Sequence, residues 1–249
     1  METWVAMLLP LGLVFARTTA FFSALPLFSL NTVPWQVKVG VSVVVAIFLA
    51  ALVPAPAVGP QQAGLFGASV LVVQEVACGL ALGLAARLIF AAIQQGGMLI
   101  GREMGFAMSY VFDPATGEET EEVGQILETI FILLFLAAGG HHLLIRLIAR
   151  SYDVFPVGGA LDYGAMAEAV VAAGSAMLLF ALKLAAPLMA AFLVLGVVLG
   201  VLARVLPEMD ILLTSLPLRV GMGLVMTVAL VPVLQTFCDE IMQWMGRFL

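Results

Sequence analysis

Charge is the scarcest commodity in this sequence. Of 249 residues only 10% are Asp, Glu, Lys or Arg, whereas 63% are hydrophobic. A soluble domain of this size is normally about half apolar and about a quarter charged. With a mean hydropathy of +1.16, the chain falls among membrane proteins, as one polytopic unit rather than several soluble domains. The net charge of −6 and the lack of any basic stripe exclude nucleic acid, whose phosphates need cations to neutralise them. Two cysteines, Cys78 and Cys238, make no disulfide framework; each sits in an apolar run and reads as a buried thiol.

Sites of chemistry are equally thin. The two histidines, His141 and His142, are adjacent, so on a helix they point in different directions, and no acid or thiol stands at ligand spacing. They read as a helix-end pair, with no metal and no cofactor implied. The chain carries no HExxH, no phosphate-binding glycine loop and no assembled Ser-His-Asp logic. No catalytic residue is assigned, and the expectation is a protein that is not an enzyme.

Long hydrophobic runs are what the sequence does have. A bilayer core needs roughly 20 apolar residues per spanning helix. Leu184–Ala203 and Val220–Cys238 meet this without a charge, Val39–Val58 meets it up to Pro54 and Pro56, and Ile126–Ile145 is broken by Glu128 and the histidines. Arg17, Glu75, Arg87, Glu168 and Lys183 interrupt the remaining segments, which gives six to eight helices in all. The first apolar run lacks a basic start and a cleavage site, so it reads as a structural helix and not a signal peptide. Lys and Arg are scattered over nearly every loop and do not orient the chain.

A charge at mid-bilayer costs several kcal/mol and normally faces protein or water. Arg17, Glu75 and Arg87 are therefore expected to contact neighbouring subunits, although snorkelling from helix ends is the plainer alternative. The 24 glycines point the same way. Gly79 with Gly83, Gly97 with Gly101 and Gly105, and Gly196 with Gly200 stand four apart, the spacing at which helix backbones approach closely.

Residues 96–125 are the most informative stretch. After a glycine-rich start come Met104, Phe106, Met108, Tyr110 and Phe112, then the turn Asp113-Pro114-Ala115-Thr116-Gly117, then Glu118, Glu119, Glu121 and Glu122. Phe106 to Phe112 alternate large with small, a period of two that an extended segment presents on one side. Asp leading and Pro with fixed φ favour a turn. Two readings are open: a helix end followed by a solvated acidic loop, or an apolar loop closing an aqueous path. Flexible methionine suits the latter, because apolar constrictions close pores by dewetting.

The same stretch carries a resemblance. Gln74-Glu75 and the run from Gly79 to Gly117 are similar to the FliR/SctT family of type III secretion export-gate proteins. Phe15-Ala16-Arg17, Val33-Pro34 with Lys38 and Gly40, Gly140–Leu144, Ser151-Tyr152 with Phe155-Pro156, and Ala203–Leu224 extend the likeness over some 200 residues. Ala181–Met226, with Pro187 and the charged turn at 204–210, resembles the small hairpin protein FliQ. The resemblance implies an all-α fold of membrane-associated helical hairpins: a FliP-like part over about 1–160 fused to a FliQ-like hairpin over about 161–249, built into a helical multi-subunit assembly. It implies FliP-like and FliQ-like subunits, an FlhB-like switch protein and unfolded export substrates as partners. The place would be the bacterial inner membrane at the flagellar basal body, multi-pass, with part of the assembly rising toward the periplasm. It makes the segment Met104 to Glu122 a channel plug, with Met104, Phe106, Met108, Tyr110, Phe112, Asp113, Pro114 and Gly117 as its residues. An injectisome export gate is the alternative. A small-solute transporter is the rival from another class, but Pro187 and Pro232 have no polar cluster beside them. The acidic run Glu118–Glu122 and Glu208-Met209-Asp210 depart from the family pattern, so the electrostatics of plug and hairpin turn do not carry over.

Overall fold

The structure, a computed structural model, describes residues 2–26, 34–52, 60–106, 122–159, 161–206 and 211–247. Seven helices run through them: α1 Glu2–Ala24, α2 Trp35–Leu52, α3 Pro60–Met104, α4 Glu122–Ala137, α5 Gly140–Val154, α6 Tyr163–Val205 and α7 Ile211–Arg247. No strand occurs among the described residues. The fold class is all-α, as expected. Three helical stretches are long and apolar enough to cross a membrane: Phe66–Met104, Tyr163–Val205 and Ser215–Gly246. Val123–Ala137 with Gly140–Val154 adds a fourth, interrupted candidate.

Interrupting charges proved poor guides to helix ends. Glu75 and Arg87 lie inside the 45-residue α3, and Glu168 and Lys183 inside the 43-residue α6. A helix satisfies its own backbone and continues past a charge wherever that side chain finds a partner or water. Prolines also sit within helices, at Pro10, Pro187, Pro217 and Pro232. Apolar spanning helices tolerate them because neighbouring groups re-satisfy the freed carbonyls.

The helices pack as two compact units. The first comprises residues 1–89, 138–175 and 242–249; the second comprises 90–137 and 176–241.

In the first unit α1 packs against α2 and α3. Its core includes Leu13, Phe21, Leu49, Ile89 and Ile148, all almost fully buried. Gly79 and Gly83 set the α1–α3 distance. A Cβ on Gly79 would collide with the Arg17 carbonyl oxygen, and one on Gly83 would lie 2.7 Å from the Phe21 oxygen and 2.7 Å from the Ala24 Cβ. The expected small-residue stripe is thus used within the chain, one helical turn of α3 against one turn of α1.

That close approach brings Arg17 of α1 onto Glu75 of α3, with Nε donating to Oε2 at 2.5 Å and side-chain exposures of 0% and 4%. Arg17 Nη1 donates to the Phe155 carbonyl at 2.9 Å and, more weakly, to the Ser151 carbonyl and hydroxyl at 3.3 Å. A cation thereby satisfies carbonyls at the C-terminal end of α5, the negative end of the helix. The guanidinium carbon lies 4.3 Å from the centroid of the Tyr152 ring, in cation–π range. Glu75 Oε1 accepts from the Gly158 N–H at 3.0 Å, in a turn where Gly158 adopts φ +69 that favours glycine. Nη2 of Arg17 has no hydrogen-bond partner among the described residues. The three charges expected to face neighbouring subunits therefore separate. Arg17 and Glu75 meet each other inside the chain, because two buried opposite charges cost less paired than apart. Arg87 is exposed, with no ion pair among the described residues.

In the second unit Phe90 of α3 meets Phe131 and Phe135 of α4 edge-on, at centroid distances of 5.7 and 5.0 Å, and all three are fully buried. Gly96 and Gly97 place two different helices on α3. A Cβ at Gly96 would lie 2.8 Å from Leu184 Cδ2 of α6, and one at Gly97 would lie 2.5 Å from the Gly124 Cα of α4. Further along, α6 and α7 form an antiparallel hairpin across the short connection at 206–210, with Lys183 Nζ 2.5 Å from Glu240 Oε1. Both side chains are nearly half exposed, so this pair is worth little beyond about 1 kcal/mol. Cys78 and Cys238 are both buried.

Two consequences can be measured by limited proteolysis of the chain in isolated membranes. Gly79→Ala forces a Cβ into backbone and should destabilise by about 1–3 kcal/mol, whereas Gly174→Ala, with nothing within 4 Å, should leave the cleavage rate unchanged. Arg17→Met strands the Glu75 carboxylate and should cost about 3–5 kcal/mol. Arg17→Met/Glu75→Leu should recover half or more of that loss; a double variant as damaged as the sum of both singles would show that the charges are not coupled.

Candidate functional site

The segment singled out in the sequence leaves α3 at Met104 and re-enters the described structure at Glu122. Met108, Tyr110, Phe112, Asp113, Pro114 and Gly117 lie outside the described residues. Met104, Phe106 and the beginning of α4 lie within them, and they define the neck of the connection.

Gly105 ends α3 with φ +91, a conformation that costs an L side chain but not glycine. Its N–H donates to the Arg102 carbonyl at 3.0 Å, and the Phe106 N–H donates to the Gly101 carbonyl at 3.2 Å. These two bonds form the glycine-terminated Schellman arrangement and satisfy two of the carbonyls that a helix end leaves without partners. Phe106 folds back over the last turn, its Cδ2 3.9 Å from the Cβ position of Gly101.

The returning strand of chain reaches the same spot. Val123 Cγ2 lies 3.7 Å from that Gly101 Cβ position, and a Cβ on Gly124 would lie 2.8 Å from the Gln94 carbonyl oxygen. Phe106 and Val123 therefore both lie against the same face of Gly101, at its Cβ position. The described residues on either side of the 107–121 connection thus converge on one turn of α3. Gly97 and Gly124 make this possible by letting α4 start in backbone contact with α3.

Met104 is the anchor of the departing end. It is fully buried, and its thioether lies against Gly223 of α7, so closely that a Cβ at 223 would overlap Cγ, Sδ and Cε. Met104, placed by the sequence among the loop residues, is the final residue of α3, and Phe106 packs on that helix. The sequence reading did not single out Gly124, Arg219 or Gly223 as site residues. Gly223 and Arg219 were visible only as parts of the Ala203–Leu224 likeness, because contacts between residues more than 100 positions apart leave no mark in a local pattern.

His141 and His142 lie in the first turn of α5, exposed, with ring centroids 4.1 Å apart. Among the described residues no three His, Cys, Asp or Glu side chains are grouped as metal ligands.

Comparison with known proteins is consistent along nearly the whole chain. The family described as Bacterial export proteins, family 1, matches residues 8–245. Flagellar biosynthetic protein FliR of Escherichia coli K12 is 32% identical over 240 residues, 96% of this chain and 91% of that protein. The FliR proteins of Pectobacterium carotovorum and Bacillus subtilis are 31% and 30% identical, covering 91% and 89% of this chain and 86% of each relative. A family match that takes in both the α3 neck and the α6–α7 hairpin, with relatives aligned nearly end to end, places the chain in family 1 of the bacterial export proteins, the family of flagellar biosynthetic protein FliR.

Proposed function

We propose that this chain is a structural and gating subunit of the flagellar type III protein export gate, helping to form and plug the channel that passes unfolded flagellar proteins. The convergence of Phe106 and Val123 on Gly101 is the observation that carries this reading. It holds the two described ends of the 107–121 connection together at one neck on α3. Met108, Tyr110 and Phe112 would supply the apolar seal, and Asp113, Pro114 and Gly117 the reversal of the chain. Opening is then a displacement of a bistable element, with no covalent chemistry required.

Helix length supports an assembly role. The 43-residue α6 is about twice as long as a bilayer core requires. It exposes Leu178, Leu182, Leu193, Val197 and Val201 along that length. Lipid can cover only part of such a surface, and sister chains would cover the remainder. Those partners are FliP-like and FliQ-like subunits and an FlhB-like switch protein in the bacterial inner membrane, with part of the assembly toward the periplasm. Within this reading the N-terminal part to about residue 160 is FliP-like and the α6–α7 hairpin FliQ-like. Arg87, exposed and unpaired among the described residues, is the charge that would meet a neighbouring subunit.

Two measurements address this directly. Deleting Met108 to Glu119 should raise ion conductance through the assembled gate; conductance equal to the intact gate would remove the loop from the seal. Expressed alone, the chain should aggregate in detergent and be rescued by co-expression with FliP-like and FliQ-like proteins, whereas a stable monodisperse monomer would contradict an obligate assembly role.

A further inference from the structure

Three separate contacts tie the last turn of α3 to α7, and the loop neck by itself does not require them. Met104 seats its thioether on Gly223. Arg219 Nη1 donates to the Glu103 carbonyl at 3.2 Å. Leu216 Cδ1 lies 3.4 Å from the Cβ position of Gly105. Leu216, Arg219 and Gly223 are three and four residues apart, so they form one stripe along α7.

The carbonyls at the end of α3 show what this stripe accomplishes. Those of Gly101 and Arg102 are taken by the N–H groups of Phe106 and Gly105. That of Glu103 accepts from Arg219, which places a cation at the negative end of the helix. Gly223 is equally specific. A flexible methionine can lie flat on a helix backbone only where no Cβ intervenes.

We infer that α7 is the mount for the loop neck, with Arg219 and Gly223 as positioning residues that hold the Met104–Phe106 end of α3 in the closed arrangement. The inference rests on the gate reading above and adds the regulation of that same site. The neck cannot shift relative to α7 without breaking all three contacts together, so a displacement of the α6–α7 hairpin is transmitted to the place where the loop departs. The hairpin thereby gains a role besides building the wall of the assembly.

The test measures ion conductance of the assembled gate, with subunit co-purification as the check on folding. Gly223→Ala drives a methyl into Met104 and should raise conductance several-fold. Met104→Ala/Gly223→Ala relieves the overlap and should return conductance toward that of the unaltered gate. Gly223→Ala added to the Met108–Glu119 deletion should raise conductance no further than the deletion alone, because the mount acts only through the loop. Should Gly223→Ala fail to co-purify, Arg219→Met takes its place, expected to leak several-fold more, with Arg219→Lys retaining the bond and the closed state. If the deletion leaks but the assembled Gly223→Ala or Arg219→Met gate conducts like the unaltered one, the mount is overturned and the gate reading stands. A deletion that does not leak overturns both.

Discussion

Close backbone approach at glycine is the constraint on which this structure rests. Between apolar helices surrounded by apolar material, burial gives no preference for one neighbour over another, so contact must come from dispersion at short range and from polar groups that find each other. Helix α3 supplies the short range. Gly79 and Gly83 admit α1, Gly96 admits α6, and Gly97 admits α4 through Gly124. The Arg17–Glu75 pair is a consequence of the first of these approaches. Its 2.5 Å contact forms one helical turn along α3 from the place where Gly79 meets the Arg17 carbonyl. Once formed, the pair gathers the end of α5 and the turn at Gly158, so one buried ion pair ties together α1, α3 and the 151–158 stretch.

The neck at Gly101 obeys the same rule on the opposite half of α3. A helix end carrying a loop must satisfy its last carbonyls, and here Gly105, Phe106 and Arg219 satisfy three in succession. The result is a rigid base on long helices. For a member of an export family this is a suitable division of labour: helices that keep their register, and a connection whose two ends cannot drift apart.

Exposed apolar surface completes the picture. Helices α6 and α7 turn Val and Leu outward along much of their length, and Gly196 and Gly200, four apart, have nothing within 4 Å among the described residues. Gly79 and Gly83 show what the same spacing does when a helix is present. At Gly79 and Gly83 this chain supplies the neighbouring helix; at Gly196 and Gly200 the described residues supply none.

From the residues alone follow the all-helical membrane character, the small-residue spacings and the family, since each depends on composition or on motifs in order along the chain. Helix lengths did not follow. Glu75, Arg87, Glu168 and Lys183 read as interruptions because a local pattern cannot show that a charge has a partner 58 residues away, as Glu75 has in Arg17. For the same reason the expectation that Arg17 and Glu75 face other chains gave way to a pair within this one. Which glycine meets which helix, and the gathering of Met104, Gly105, Arg219 and Gly223 at one helix end, were decided by tertiary packing, because only folding brings such distant positions within van der Waals reach.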